Sequence, residues 1–374
     1  MRKKKAIISV TNDLYTDQRV HKVASFLESN GYDVVLVGRL LSGSKPLTRT
    51  YSTHRMKLSF HKGALFYANY NLRLFFFLLF RKADLLLSND LDTLLANFLA
   101  SKFKRNCKLV YDSHEYYTEV PELVARPKIK AVWEAIESFI FPKLKHVYTV
   151  NKSIADKYSS KYKKNIHIIR NISPLWRPNK ILSKAALEID PSKKMIILQG
   201  AGINVDRGAE EAVLAMRYVN NAVLYFIGSG DIIEDLKTLV KEHKLEHKVI
   251  FKGRRPYDEM MNYTYYADLG LTLDKDTNLN YKFSLPNKVF DYIHTTTPIL
   301  ASKVIEVKNI VNKYKVGDTI DSHDPKHIAD KINSILFNEE KLEQLKTNCK
   351  STAKVLNWEI ESLKLKKIYN IDEA

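Results

Sequence analysis

The chain has 374 residues, 45% of them hydrophobic, with 60 Lys and Arg against 42 Asp and Glu for a net charge of +18. That length exceeds one ordinary core and predicts two globular domains. The two cysteines, Cys107 and Cys349, stand far apart and in no metal-ligand spacing, which argues against a disulfide framework or a zinc site and fits a reducing compartment.

In chain order, Met1 to Lys5 has the charge of a signal peptide's first region, but Ala6 to Val10 is a short β-branched run that meets polar Thr11, Asn12 and Asp13. It reads as a first strand. Further strands are expected at Val34 to Val37, Leu85 to Leu87, Leu109 to Tyr111, Val147 to Val150 and Ile166 to Ile169, with a helix over Arg19 to Asn30. Continuous apolar runs separated by helices indicate a parallel sheet covered on both faces, a doubly wound α/β domain. The longest apolar run, Leu74 to Phe80, is far short of the roughly 20 residues of a spanning helix. From about Trp176 to Lys194 the chain is polar with two prolines, the natural linker. A second alternating series follows, with strands at Met195 to Leu198, Val223 to Ile227, Lys248 to Phe251, Leu269 to Leu273 and Pro298 to Ala301. The expected domains are residues 1–175 and 195–350, both Rossmann-like. The helical spacing of Val355, Trp358, Leu363 and Ile368 predicts terminal helices over 351–374 that pack back toward the first domain.

The charge is one-sided. Residues 1–180 hold 32 basic and 14 acidic side chains, whereas residues 181–374 hold 28 of each. A basic half suits nucleic acid, anionic lipid or a phosphorylated substrate. Helix-turn-helix, RNP-type and zinc-finger patterns are missing and aromatics do not alternate with the basic residues, so no nucleic acid is expected. The segment His61 to Lys82 brackets its apolar run with Arg73 and Arg81. It is either a buried helix or an amphipathic one that meets an anionic membrane surface.

Ligands of open α/β sheets bind beyond the carboxyl ends of the strands. Three such places in the second half attract attention. Gln199 to Gly208 contains Gly200, Gly202, Arg207 and Gly208 ahead of a helix; glycines admit a phosphate to the backbone and an arginine fork binds it, although a plain strand-to-helix turn is the alternative. Gly228-Ser229-Gly230-Asp231 reads as a turn that caps the next helix. In Ser284 to Ile293, Pro286 can begin a helix that carries Asn287, Lys288 and Asp291; a cation and a carboxylate there suit a diphosphate and a ribose diol, or else form a helical ion pair. In the first half, Asn89, Asp90 and Asp92 end one strand and Asp112, His114 and Glu115 another, with no metal geometry in either.

The order and spacing of Gln199 to Gly208, Phe226 to Gly230, Val249 to Arg254 and Ser284 to Ile293 resemble the retaining glycosyltransferases of family 4. Leu85 to Asp92, Val110 to Glu115 and Asn357-Trp358-Glu359 extend the resemblance over nearly the whole chain. It implies a GT-B fold, two Rossmann-like doubly wound domains that face a central cleft. It also implies a sugar moved from a nucleotide-diphosphate donor, with retention and without metal or cofactor, onto a glycan or lipid-linked acceptor. On this resemblance Arg207 and Lys288 bind and stabilise the diphosphate, Gly202, Gly208, Gly228 and Asn287 line the donor site, and Asp291 takes the place of the motif's second glutamate toward the ribose. His114 matches the histidine that orients a hydroxyl of the donor sugar. Phe283 stands where the first glutamate belongs, and Thr11 to Arg19 replaces a glycine-rich loop; in that stretch Asp17 is expected to cap the following helix, while Asn12, Asp13 and Arg19 are further contact candidates. A nucleotide-sugar epimerase of the same fold and a non-catalytic donor-binding relative are the alternatives. A cytoplasmic protein, at most peripheral at the inner face of the cell membrane, is expected.

Overall fold

Strand formation follows the apolar runs in both halves of the computed structural model, which describes residues 2–178 and 180–371. The chain forms two compact units, one of residues up to Asn171 together with the chain from Ser362, the other of Ile172–Glu361. Residues 351–361 therefore lie in the second unit and the segment after them in the first.

The first unit has strands β1 (Lys4–Asp13), β2 (Tyr32–Leu40), β3 (Ser52–Lys57), β4 (Leu85–Asn89), β5 (Lys108–Ser113), β6 (His146–Thr149) and β7 (His167–Ile168). They pair in parallel in the order β3-β2-β1-β4-β5-β6-β7. Helices α1 (Gln18–Ser29), α2 (Gly63–Leu79), α3 (Leu91–Lys102), α4 (Pro121–Val124), α5 (Pro127–Ile140) and α6 (Lys152–Tyr162) connect them. Strand β3 reads Ser-Thr-His-Arg-Met-Lys and escapes a search for apolar runs; at a sheet edge it needs little more than Met56 in the core. Asp17 caps α1, its Oδ1 accepting from the Val20 amide at 3.1 Å. Helix α2 buries Phe66, Tyr70, Leu74 and Leu78, one i, i+4 stripe, against Ile7, Val37 and Leu86 of the sheet.

The second unit has β8 (Lys194–Gly200), β9 (Ala222–Gly228), β10 (Val249–Gly253), β11 (Leu269–Thr272), β12 (Ile299–Ala301) and β13 (Gly317–Thr319), all parallel in the order β10-β9-β8-β11-β12-β13. Its helices are α7 (Ala209–Ala215), α8 (Ile233–Glu242), α9 (Tyr257–Tyr266), α10 (Leu279–Lys282), α11 (Lys288–His294), α12 (Ile305–Tyr314), α13 (Pro325–Leu336), α14 (Glu339–Ala353) and α15 (Trp358–Glu361). Alternation along β8 divides the core: Ile196 and Leu198 pack with α7 and α13, while Met195 and Ile197 pack with α9 and α11. The final helix, α16 (Leu363–Tyr369), belongs to the first unit. There the Tyr369 hydroxyl meets that of Tyr148 at 3.0 Å and the Ile368 carbonyl accepts from Lys108 Nζ. In each sheet the connection reverses direction beside its first strand, between β1 and β4 and between β8 and β11. Those are the switch points where a crevice opens.

Candidate active site

At the switch point of the second unit, two turns leave β8 and β9 side by side. Ser229 N donates to the Gly200 carbonyl at 3.1 Å, Ile203 N to the Ser229 carbonyl at 3.0 Å, and Asp231 N to Asn204 Oδ1 at 3.2 Å. Gly228 is required by this closeness: its φ is +148°, and a Cβ there would lie 1.8 Å from the Gly200 oxygen. Gly208, with φ +71°, is held equally tightly, 2.3 Å from the Leu273 oxygen in the same sense. Gly202 differs, because a Cβ would meet nothing nearer than the Asn204 side-chain amide at 3.9 Å. Asp231 does not cap α8, whose N-cap is Ile232 with no side-chain hydrogen bond.

Arg207 sits in the turn before α7. Its Nη1 donates to Asp274 Oδ2 at 3.0 Å, and the guanidinium lies over the Tyr281 ring, 3.9 Å from its centroid. Tyr281 is fixed by α10, whose N-cap Asn278 accepts from the Tyr281 amide. Asp274 is only 2% exposed, and its Oδ1 and Arg207 Nε are both buried without a hydrogen-bond partner among the described residues. Lys288, the first residue of α11, runs across the glycine surface of β8's end, its Cε 3.9 Å from where a Gly200 Cβ would stand. Desolvation lowers the Lys288 pKa; Asp274 pulls it back up and Arg207 pushes it further down. Asp274 thus pairs directly with Arg207 and acts on Lys288 through its charge, which places two cations beside the glycine turns. Asp274 follows β11 just as Asn89 and Asp112 lie at the ends of theirs, and that placement was the sequence signal for it.

Helix α11 starts at Lys288, two residues later than a Pro286 start predicts, with Asn287 as an exposed N-cap. No ion pair joins Lys288 to Asp291 among the described residues. Asp291 instead is 4% exposed, and its carboxylate accepts from Ser173 Oγ at 3.1 Å, Tyr257 OH at 2.9 Å and Gln199 Nε2 at 3.2 Å. Gln199 is in turn held by Thr264 Oγ1 at 2.6 Å. Phe283 is buried and C-caps α10, so its position is filled by hydrocarbon.

In the first unit the ends of β4 and β5 bring together a second polar cluster. Arg19 and Asp112 form a buried bidentate pair, Nε to Oδ2 at 2.9 Å and Nη2 to Oδ1 at 2.7 Å, with Nη1 on the Ile169 carbonyl at 3.0 Å. Arg19 is therefore engaged within the fold, and Asp13 is likewise held by Ser44 and by Arg55 at 3.0 Å. His114 places Nδ1 3.2 Å from Asp90 Oδ2 and Nε2 3.3 Å from Asp112 Oδ2 and 3.1 Å from Asn89 Oδ1. Asp90 adopts φ +57°, a strained conformation for a non-glycine residue, and its Oδ1 accepts from the His114 amide at 2.8 Å. Burial disfavours the imidazolium, but Asp90 and Asp112 overcome it and raise the His114 pKa to about 9. Burial also raises Asp90 to about 8. The two act as one pair that retains a proton at neutral pH. Asp112, although desolvated, is held down by Arg19. Asp92 is pushed up by burial to about 7, against its hydrogen bond from Thr11 Oγ1 at 2.5 Å.

The family model for glycosyl transferases group 1 matches residues 180–352, and that for glycosyltransferase family 4 matches residues 17–172. No curated protein gives a significant sequence match. Among solved structures, sucrose-phosphate synthase from Thermosynechococcus elongatus is 18% identical with a TM-score of 0.76, over 99% of this chain and 98% of that one. WaaG, a glycosyltransferase involved in lipopolysaccharide biosynthesis, is 15% identical with a TM-score of 0.71, over 99% and 100%. HepE from Anabaena, solved with UDP and glucose, is 13% identical with a TM-score of 0.71, over 99% and 100%. The two family models cover both Rossmann-like units, and with the parallel sheets and strand-end turns just described they show that the chain belongs to the family 4 glycosyltransferases of GT-B fold.

Proposed function

We propose that the protein transfers a sugar from a nucleotide-diphosphate donor, with retention of anomeric configuration and with protein cations in place of a metal ion, onto a membrane-associated glycan or lipid-linked acceptor. The observation that carries the donor site is the placement of Arg207 and Lys288 beside the glycine turns, with Arg207 alone paired to the buried Asp274. A diphosphate supplies the negative charge this arrangement lacks, and Gly202, with open space on its side-chain face, admits it to the backbone. As the donor bond breaks, charge grows on the departing diphosphate, and a preorganised cation pair stabilises that change more than the ground state. The acceptor hydroxyl then attacks from the same face.

Asp291 is proposed to meet the ribose diol by exchanging its contacts with Tyr257 and Ser173, and Asn287 and Gly228 to border the nucleotide. His114 is proposed to orient a sugar hydroxyl. Both its ring nitrogens face acceptor oxygens and it holds its proton tightly, so it has no free lone pair with which to act as a base. The solved complexes of HepE with UDP and with UDP-glucose make UDP-glucose the first donor to try. The basic first half and the outward face of α2 with its C-cap, where Leu65, Leu72, Phe76 and Phe80 are exposed, favour an acceptor at a membrane. No helix of the described residues is long and apolar enough to cross one.

The experiment is a panel of nucleotide sugars, each with and without a lipid-linked acceptor and with a chelator present, the product's anomeric configuration being read by proton NMR. Transfer that survives chelation and gives a retained linkage is expected. Isomerised donor without acceptor would make the protein an epimerase, and donor binding without turnover would make it a non-catalytic relative.

A further inference from the structure

At the opposite end of the first unit's strands from His114, the starts of β5 and β6 and the last turn of α3 enclose an open groove of about 430 Å³. It lies about 20 Å from the polar cluster, the length of β5 at about 3.3 Å per residue. Its lining includes Lys102, Lys108, Lys143, Lys145 and His146, and no acidic side chain. Among the described residues none of the four lysines forms an ion pair. The neighbouring carboxylate, Asp84, is turned to Arg2 at 3.1 Å. Burial, followed by the charges of Lys108, His167 and Lys145, pushes the His146 imidazolium below its usual range. Burial alone acts in that direction, and the neighbouring cations add to it.

Apolar rings continue directly from the groove. Lys143 Nζ lies 3.1 Å from the centroid of Phe139, and Lys102 Nζ 4.7 Å from that of Phe98. Phe103 follows Lys102 and touches Phe75 at 6.2 Å between ring centroids; Phe75 meets Phe76, and Phe76 stacks on Phe80. Phe80, Phe103 and Phe139 are 80%, 71% and 58% exposed. A site for a free anion has no use for exposed phenylalanines. A surface where phosphate charge lies over hydrocarbon uses both, the lysines at the headgroups and the rings just beneath them.

We propose that this groove binds the phosphate-bearing headgroup of an anionic lipid, with Phe80, Phe103 and Phe139 entering the headgroup layer beside it. The inference deepens the membrane reading given above and rests on it. It places the contact at the far end of the strands from the polar cluster, and only part of it on the apolar run of α2.

The test is co-sedimentation of the full chain with phosphatidylcholine vesicles, with and without phosphatidylglycerol. Wild type should bind the anionic vesicles at low salt and not the neutral ones. Lys143→Glu/Lys145→Glu should weaken that binding at least tenfold, and Phe103→Ser/Phe139→Ser at least fivefold, each with an unchanged thermal midpoint. Lys241→Glu/Lys244→Glu in the second unit, which makes the same change in net charge, should stay within twofold. Groove variants that bind as wild type would overturn the groove while the membrane reading stands. No vesicle binding by wild type would overturn both. Titration with glycerol phosphate separates the sources: saturable binding that the lysine variants lose, without vesicle binding, would make this a soluble-anion site and overturn the lipid assignment.

Discussion

Replacing Arg207 with methionine removes two things at once, and the structure allows them to be separated. The first is the cation proposed to stabilise the departing diphosphate, a loss of about 2 to 4 kcal/mol in the barrier, or roughly 30- to 1,000-fold in rate, if it behaves like other preorganised charged donors. The second is the partner of Asp274, a carboxylate with 2% side-chain exposure against 23% for Arg207. An ion stranded in the interior costs about 3 kcal/mol or more, which for a unit of this size lowers the thermal midpoint by about 6 to 12 °C. Arg207→Met/Asp274→Asn removes the stranded charge and should recover most of the midpoint while leaving turnover as low as in the single variant. Thermal denaturation and steady-state kinetics with the preferred nucleotide sugar check the two readouts independently. A double variant with wild-type kcat/KM, or a single variant that loses stability but no activity, would refute the assignment of Arg207 to the donor and leave it a structural ion-pair member.

Asp291→Asn keeps the shape of a buried acceptor but turns an amide toward groups that donate to it, at a cost of about 1 to 3 kcal/mol in stability. At matched stability it should raise the donor KM more than it lowers kcat, which initial-rate kinetics will show. Arg19→Met strands Asp112 and should destabilise the first unit by about 3 to 5 kcal/mol, with Arg19→Met/Asp112→Asn costing less, as measured by urea denaturation. The raised Asp92 pKa has a pH signature. The unfolded state releases this proton near pH 4 and the folded state only near 7, so the group's contribution to stability is greatest below pH 4 and is lost as pH rises through 7. Asp92→Asn should therefore be more stable than wild type at pH 8 and flatten the decline from pH 4 to 7; midpoints that track the wild type across that range would show that Asp92 does not titrate as described.

The sequence by itself determined the two doubly wound sheets, because continuous apolar runs such as Ile196 to Leu198 have no stable place except between two layers of helices. It also marked the glycine turns at 200–208 and 228–230, in which backbone approaching backbone dictates Gly208, Gly228 and Gly230. It marked Arg207 and Lys288 through their positions after strands and at a helix start. Edge strands β3 and β13 were not legible, since a strand paired on one side can be polar and short without loss. Only the tertiary structure decided which charges meet. Arg19 lies 93 residues from Asp112 in sequence and Arg207 lies 67 from Asp274, and no local spacing encodes either pair. The same holds for Asp291, whose three-residue offset from Lys288 suggested an ion pair on one helix face. Folding turned its carboxylate to Ser173, Tyr257 and Gln199 instead, because a carboxylate at 4% exposure must find hydrogen-bond donors wherever the surrounding elements supply them.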